Sequence, residues 1–366
     1  MATIRVELGD RSYDIRVEPG ALGTIGEMAT AACSSRSAAV VTNPKIGGLY
    51  AGIVTKSLEA AGIRCALITI PAGERYKSLN TCRRLYDEFL SAKLDRGSVV
   101  VALGGGVIGD IAGFAAATYL RGLSFVQVPT TLLAQVDSSV GGKVGINLPQ
   151  GKNLVGAFHQ PKGVLIDPFV LRTLPKREVR AGLAEVIKHG IIYDQGFFDI
   201  LREKMAFILA LDAETVAQII SRSCEIKAGV VAADERESGL REILNFGHSL
   251  GHGIETAAGY GRYRHGEAVS IGMVGEAHIA ERMGIAERGV TEAIRQILAS
   301  AGLPTALSST VSLDAVLTSL ALDKKARQGK VRFALPTRIG AVVRRDDITQ
   351  DMVMEALLAL KDGSID

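Results

Sequence analysis

Residues 98–110 read SVVVALGGGVIGD, and their reading decides the fold. Val99-Val100-Val101-Ala102-Leu103 is an unbroken apolar run of strand length, the texture of a strand covered on both faces inside a parallel sheet. Gly104, Gly106 and Gly109 then satisfy G-x-G-x-x-G directly after that strand and before an apparent helix from Ile111 to Leu120. Such a turn suits a phosphate cradle, because glycine lets backbone approach a pyrophosphate and a helix start offers unpaired N–H groups at its positive end. The motif departs from the ordinary dinucleotide fingerprint. About 20 residues on, where a ribose-binding acid belongs, stand Pro129, Thr130 and Thr131. Read without a ligand, the same turn is a tight strand-to-helix junction that uses glycine for positive φ, and the motif alone supports either reading.

Outward from this stretch, short β-rich runs at 38–42, 65–70, 98–103, 123–128 and 163–167 alternate with helical stretches. That rhythm predicts βαβ units and a Rossmann-like α/β domain over residues 1–170. The N-terminal segment MATIRVELGDRSYDI reads as a starting strand. Beyond Asp167-Pro168 the period changes to 3.6 in long stretches (175–190, 196–230, 240–258, 266–283, 288–301), so residues 171–366 read as a mainly helical second domain. A crevice between the two is the expected place for a site.

Composition narrows the function classes. At 366 residues, 47% hydrophobic and 22% charged, the chain is globular in character and long enough for two domains. A net charge of +3 is too slight to announce a nucleic-acid or membrane-surface protein. With 41 glycines, no Trp and 5% aromatics, binding by backbone loops is favoured over base-stacking platforms. Cys33, Cys65, Cys82 and Cys224 form no CxxC pair, which argues for free thiols and a cytoplasmic location. The N-terminus lacks the apolar core of a signal peptide, and no apolar run reaches the length of a membrane span.

Residues suited to metal chemistry cluster in the second half. In NFGHSLGHGIE, Asn245, His248, His252 and Glu255 share one helical face, opposite Phe246, Leu250 and Ile254. Ser249 stands where a zinc peptidase needs Glu, so peptidase chemistry is disfavoured. His265 follows in a Gly-, Arg- and Tyr-rich loop, bringing three of six histidines into 18 residues. Upstream, KREVRAGLAEVIKHG places Val179, Leu183, Val186 and Ile187 on one face, with Glu185 and Lys188 nearly opposite. That pair alone reads as a solvated i,i+3 ion pair. A Glu, His, His set would leave zinc open positions for a substrate hydroxyl or carbonyl.

For an anionic substrate, DSSVGGKVGINLPQGKNLVGAFHQP (137–161) supplies Asp137, Lys143, Asn147, Lys152 and Asn153 among glycines, with no helical or strand period. It is expected to be a long ordered functional loop. Arg121, Lys227, Arg241 and the DKK at 323–325 are further basic candidates, each by itself ordinary surface charge.

Taken in order, PAGERYKSL (71–79), GGGVIGD (104–110), YLRG (119–122), VPTTLLAQVDSSVGGKVGIN (128–147), GKNLVGAFHQP (151–161), AGLAEVIKHG (181–190), LNFGHSLGHGIE (244–255), HGEAVSIGM (265–273) and DKK resemble the 3-dehydroquinate synthase family. The resemblance implies an NAD-dependent enzyme using zinc or cobalt, homodimeric and cytoplasmic, in aromatic amino acid and chorismate biosynthesis by the shikimate pathway. Its substrate would be the sugar phosphate 3-deoxy-D-arabino-heptulosonate 7-phosphate, converted to 3-dehydroquinate and phosphate. Transient oxidation, β-elimination of phosphate, re-reduction and aldol closure would leave no net redox change.

Position by position, the resemblance implies Glu185, His248 and His265 as metal ligands. NAD would meet Ala72, Gly73, Glu74, Arg75, Tyr76 and Lys77, then Gly106, Val107, Ile108, Gly109 and Asp110. It would also meet Thr130, Thr131, Val170, Leu171, Arg172 and Thr173, with Lys143 and Lys152 nearby and Asn43 toward the adenosine ribose. Substrate contacts would come from Asp137, Lys152, Asn153, Lys188, Lys227, Arg241, Asn245 and His252, and Arg121 would reach the partner subunit's substrate phosphate. The alternatives are a sibling sugar-phosphate cyclase and a metal-dependent NAD polyol dehydrogenase.

Overall fold

A strand apolar at every position must be covered on both faces, and Val99–Gly104 is buried throughout. The computed structural model describes residues 1–259, 261–322 and 331–363. The first part of the chain forms β1 (Ala2–Val6), β2 (Tyr13–Val17), α1 (Ile25–Ala32), β3 (Ser37–Thr42), α2 (Pro44–Ile46), α3 (Gly52–Ala60), β4 (Arg64–Thr69), α4 (Leu79–Ser91), β5 (Val99–Gly104), α5 (Gly106–Thr118), β6 (Ser124–Pro129), β7 (Lys143–Leu148), β8 (Gly151–Phe158) and β9 (Gly163–Ile166). Helices follow: α6 (Lys176–Tyr193), α7 (Gln195–Leu209), α8 (Ala213–Ala233), α9 (His248–Ala258), α10 (His265–Arg282), α11 (Val290–Ser300) and α12 (Leu313–Leu322). The hairpin β10 (Phe333–Arg338) and β11 (Ala341–Arg345) and helix α13 (Gln350–Asp362) complete the described residues.

Seven strands form one sheet in the order β1-β2-β9-β6-β5-β3-β4. Only β1 and β2 pair antiparallel; the other neighbours are parallel. Alternate residues of β5 serve opposite faces. Val99, Val101 and Leu103 pack with Ile25 and Ala29 of α1 and Val54 and Leu58 of α3. Val100 and Ala102 pack with Leu85 and Phe89 of α4 and Ile111 and Ala115 of α5. The fold is therefore the α/β class expected, with a parallel-sheet first part and a helical second part.

Three features differ from the sequence expectation. The N-terminal segment, expected as one starting strand, forms two, β1 and β2, paired antiparallel. Residues 143–158, expected as an ordered loop, form an antiparallel hairpin of β7 and β8. Glycine hid it: a Cβ on Gly145 would lie 2.6 Å from the Val155 carbonyl oxygen, and one on Gly156 would lie 2.4 Å from that of Val144. Close backbone approach demands the very residue that weakens a strand pattern. The chain also divides into two compact units differently from a single cut near 170. One unit is Met1–Leu174 with Val216–Arg236, and the other is Pro175–Thr215 with Glu237–Asp366. Most of α8 thus belongs with the sheet: Cys224 Sγ donates to the Gln135 carbonyl at 3.3 Å, and Lys227 donates to that of Asp137 at 2.6 Å.

In the second unit α10 is the central helix, packing on α6, α9, α11, α13 and β10. A Cβ on Gly266 would lie 1.9 Å from the Ala181 carbonyl of α6, and one on Gly272 would lie 2.1 Å from the Gly247 carbonyl ahead of α9. Glycine is what lets three helix backbones meet there. Among the described residues no helix is long and apolar enough to cross a membrane.

Candidate active site

The parallel strands of the first unit bring their C-terminal ends to one edge of the sheet. Asn43 follows β3, Ala72–Lys77 follow β4, Gly106–Asp110 follow β5, Thr130 and Thr131 follow β6, and Val170–Thr173 follow β9. Ligands of such sheets bind beyond the carboxyl ends, where winding reverses. Here the reversal lies between β3 and β5, because β4 adds outward from β3 while β6 adds on the other side of β5.

Helix α5 starts at Gly106 with Gly105 as its N-cap, a residue with no side chain to cap the first amides. None of Gly104, Gly105, Gly106 or Gly109 has positive φ, so the tight-turn explanation fails. Space is the cause. A Cβ on Gly104 would lie 2.6 Å from Ile108, on Gly105 3.0 Å from Thr131, and on Gly109 2.6 Å from Gln127 Oε1. This glycine cradle at an uncapped helix start fits a pyrophosphate.

Around it the expected residues interlock. The Thr130 amide donates to the Gly104 carbonyl at 2.9 Å, and Asn43 Oδ1 accepts from the Ile46 amide at 3.0 Å. Tyr50 donates to the Val170 carbonyl at 3.1 Å and shares a 2.6 Å bond with Thr173. Lys77, 4% exposed, donates to Asp110 and to Asn153. Burial pushes the Asp110 carboxyl up despite the pull of Lys77. Asn147 joins the hairpin to the loop after β4: its side chain donates to Glu74 at 2.7 Å, and its Oδ1 accepts the Asn153 amide at 2.8 Å. Lys227 of α8 pairs with Asp137. Lys143 is exposed and Lys152 half-buried on the hairpin, and Arg121 is exposed in a turn at φ 69°.

In the second unit, Glu185 and Lys188 are 0% and 1% exposed and ion-paired. The solvated reading of this pair is overturned, because α6 is buried along its length from Ala181 to Ile192, polar face included. Glu185 Oε1 lies 3.5 Å from His248 Nε2 and 3.6 Å from His265 Nε2, while Oε2 pairs with Lys188. His248 Nδ1 is 3.1 Å from the Phe246 carbonyl. A carbonyl only accepts, so Nδ1 carries the hydrogen and Nε2 presents its lone pair.

Burial works against the Glu185 charge, yet Lys188, His248 and His265 together hold its carboxyl well below the usual range. Burial and Lys188 push His248 well down, keeping the ring neutral. His265 is pulled down by burial but carried up to about 9 by Glu185 and Glu255; its Nδ1 is 3.7 Å from Glu255 Oε2.

Four donors about 2.0–2.1 Å from a tetrahedral ion stand roughly 3.3 Å apart, close to the Glu185 separations. An overlapping set also exists, since the ring nitrogens of His248, His252 and His265 lie within 4.8 Å of one another. The Glu185 set also suits a divalent cation, because its carboxylate is fully buried and turns Oε1 to both histidines while Oε2 pairs with Lys188. His252 stands beside both other rings, at 5.4 and 5.7 Å between centroids.

Arg241, 2% exposed, and Asn245 lie in the 3-10 turn Leu240–Asn245. Asn245 therefore sits outside α9, contrary to the single-face expectation; left-handed Gly247 at φ 77° breaks the helix between them. Its side chain donates to Glu237 at 3.0 Å. The DKK at 323–325 lies outside the described residues. Glu255 and Glu276 went unassigned in the sequence reading. Glu255 was legible from its shared face with the histidines, while Glu276 carried no signal.

A doubly wound sheet with a glycine cradle and a helical unit with a buried Glu-His-His cluster together define a class of nucleotide- and metal-using α/β enzymes. Residues 67–181 match the 3-dehydroquinate synthase N-terminal family and residues 182–326 its C-terminal counterpart. The chain is 50% identical over 358 residues to the 3-dehydroquinate synthase of a Picosynechococcus species, covering 97% of this chain and 98% of that one. The chain belongs to the 3-dehydroquinate synthase family.

Among solved structures, 2-epi-5-epi-valiolone synthase from Streptomyces hygroscopicus subsp. jinggangensis, with NAD+ and Zn2+ bound, matches at TM-score 0.88 and 30% identity, over 97% of this chain and 98% of that one. A 2-deoxy-scyllo-inosose synthase with carbaglucose-6-phosphate, NAD+ and Co2+ matches at TM-score 0.89 and 24% identity, over 97% and 99%. That second likeness shows the fold alone.

Proposed function

We propose that the chain converts 3-deoxy-D-arabino-heptulosonate 7-phosphate to 3-dehydroquinate and inorganic phosphate, using NAD that is returned unchanged and a zinc or cobalt ion. The observation that carries the reading is the buried Glu185 carboxylate facing Nε2 of both His248 and His265, within a chain whose family makes this product. When bound, NAD supplies a transient hydride acceptor, and the divalent ion, held by Glu185, His248 and His265, supplies Lewis acidity toward a substrate hydroxyl.

The remaining work falls to side chains. Lys188 and Arg241 are buried cations that hold a phosphate or carboxylate without covalent participation, joined by Lys152, Asn153, Lys227 and Asn245. Asp137 orients Lys227 through their ion pair. His252 moves a proton or contacts phosphate. Asn43 would face the adenosine ribose of NAD. Gly106–Asp110 would hold its pyrophosphate, with Ala72–Lys77, Thr130, Thr131, Lys143, Lys152 and Val170–Thr173 holding the rest. The net conversion needs no oxidant, because phosphate elimination is itself redox-neutral and the transient oxidation would be cancelled by the later reduction.

The enzyme works as a homodimer in which exposed Arg121 reaches the partner's substrate phosphate. Its four free cysteines suit a reducing cytoplasm. Incubation with the heptulosonate phosphate and NAD well below the substrate concentration tests the activity. Phosphate and dehydroquinate should form in equal amounts over many turnovers with no NADH build-up. NADH accumulating in step with substrate loss would mark a dehydrogenase instead.

A further inference from the structure

Glu276, on α10, is fully buried, and its carboxylate is committed to the neighbouring helix. Oε2 accepts the Gly247 amide at 2.7 Å, and Oε1 accepts the Leu250 amide at 3.1 Å. These amides flank His248 at the start of α9, whose N-cap is Gly247, a residue unable to cap for itself. The Gly247 N–H and the Phe246 carbonyl belong to one peptide group, and that carbonyl is the partner of His248 Nδ1. One plane thus joins Glu276 to the imidazole: the carboxylate fixes the peptide, and the peptide fixes the ring's orientation and tautomer. Gly247 itself is tightly packed against α10: a Cβ on Gly272 would lie 2.1 Å from its carbonyl, and one on Gly247 would lie 2.4 Å from Met273.

We propose that Glu276 is a positioning residue for the metal centre, acting through the Phe246–Gly247 peptide to present His248 Nε2 beside Glu185. This rests on the metal reading above. Because Glu276 stands on α10, whose first residue is His265, it also sets the register between the helices that carry the two histidines.

The test is zinc affinity of the metal-free full-length protein, measured by competition with a chromophoric chelator, together with the visible spectrum of the cobalt form. Glu276→Gln keeps the volume but faces one amide with an NH2 group. Its zinc dissociation constant should rise roughly tenfold to a hundredfold, with an altered cobalt spectrum and a folded circular dichroism signature. Glu281→Gln is the control for capping alone, because Glu281 accepts the Thr291 amide at 2.7 Å near the start of α11, a helix without candidate ligands. It should leave zinc affinity and the cobalt spectrum unchanged.

A folded Glu276→Gln protein with wild-type affinity and spectrum overturns the proposal, as does equal weakening by Glu281→Gln. If neither Glu276→Gln nor Glu276→Asp can be isolated folded, Glu276 is a folding determinant and the positioning role falls. Wild-type protein that binds no zinc would instead remove the metal reading, a separate failure seen before any variant is measured.

Discussion

Replacing Glu185 by Gln in metal-free protein isolates the electrostatics of α6. Glu185 and Lys188 are one helical turn apart, 0% and 1% exposed, and paired. Gln keeps the side-chain volume, so no cavity opens, but the Lys188 ammonium loses its counter-ion in a site sealed from water. Removing one partner of a buried pair costs about 3–5 kcal/mol. For a unit of this size, 1 kcal/mol corresponds to about 2–4 °C, so its transition should fall by roughly 6–20 °C. Lys188→Met should also destabilise, by leaving the carboxylate to His248 and His265. The double variant, with neither charge, should recover most of the loss, because neutral groups of similar volume replace a buried pair at little cost. Calorimetry on chelator-treated wild type, both single variants and the double variant gives the coupling energy. If the double variant loses the sum of the single losses, the two charges do not compensate each other and the reasoning is wrong.

Three further expectations address separate features. Gly266→Ala would press a Cβ to 1.9 Å from the Ala181 carbonyl; urea unfolding should show at least about 3 kcal/mol lost, the upper end for overpacking, and a loss under 1 kcal/mol would contradict the packing. Lys77→Met removes a charged donor from Asp110 and Asn153, worth about 1.5–3 kcal/mol. Calorimetric NAD affinity should fall roughly tenfold or more while zinc affinity holds, and unchanged NAD affinity would remove Lys77 from the cofactor site. Burial lowers the His159 pKa, opposed by its 2.8 Å bond to the Leu123 carbonyl and aided by Lys162. Since the folded ring binds its proton less tightly than the unfolded one, this contribution is full above about pH 6.5 and is lost as pH falls toward the folded value. His159→Gln should flatten that part of the acid-side slope of unfolding free energy, and an unaltered slope would show that His159 does not contribute.

Much of the sheet was legible because its inner strands are mostly apolar, β5 at every position. The runs at 38–42, 65–70, 98–103, 123–128 and 163–167 fall within a residue or so of β3, β4, β5, β6 and β9. The β7–β8 hairpin was not legible, because Gly145 and Gly156 erase its alternation. Nor was the grouping of α8 with the first unit, which depends on contacts of Cys224 and Lys227 with residues nearly ninety positions earlier.

At the site, the glycine turn was readable as a motif, but its cause, close approach without positive φ, required the backbone. Glu185 and Lys188 look solvated by helical period alone, since period cannot reveal a helix buried on all sides. Glu276 is one acid in an ordinary helical pattern, and its meaning comes from the peptide across from it.

The central claim is that Glu185, His248 and His265 converge on one divalent ion, with His252 outside the set. Cobalt titration of the metal-free wild type and of alanine variants at these four positions, followed by visible absorption, tests it most directly. One equivalent should bind to wild type and to His252→Ala, and none tightly to Glu185→Ala, His248→Ala or His265→Ala. Tight stoichiometric binding by Glu185→Ala, or its loss in His252→Ala, would replace this ligand set with the three-histidine cluster.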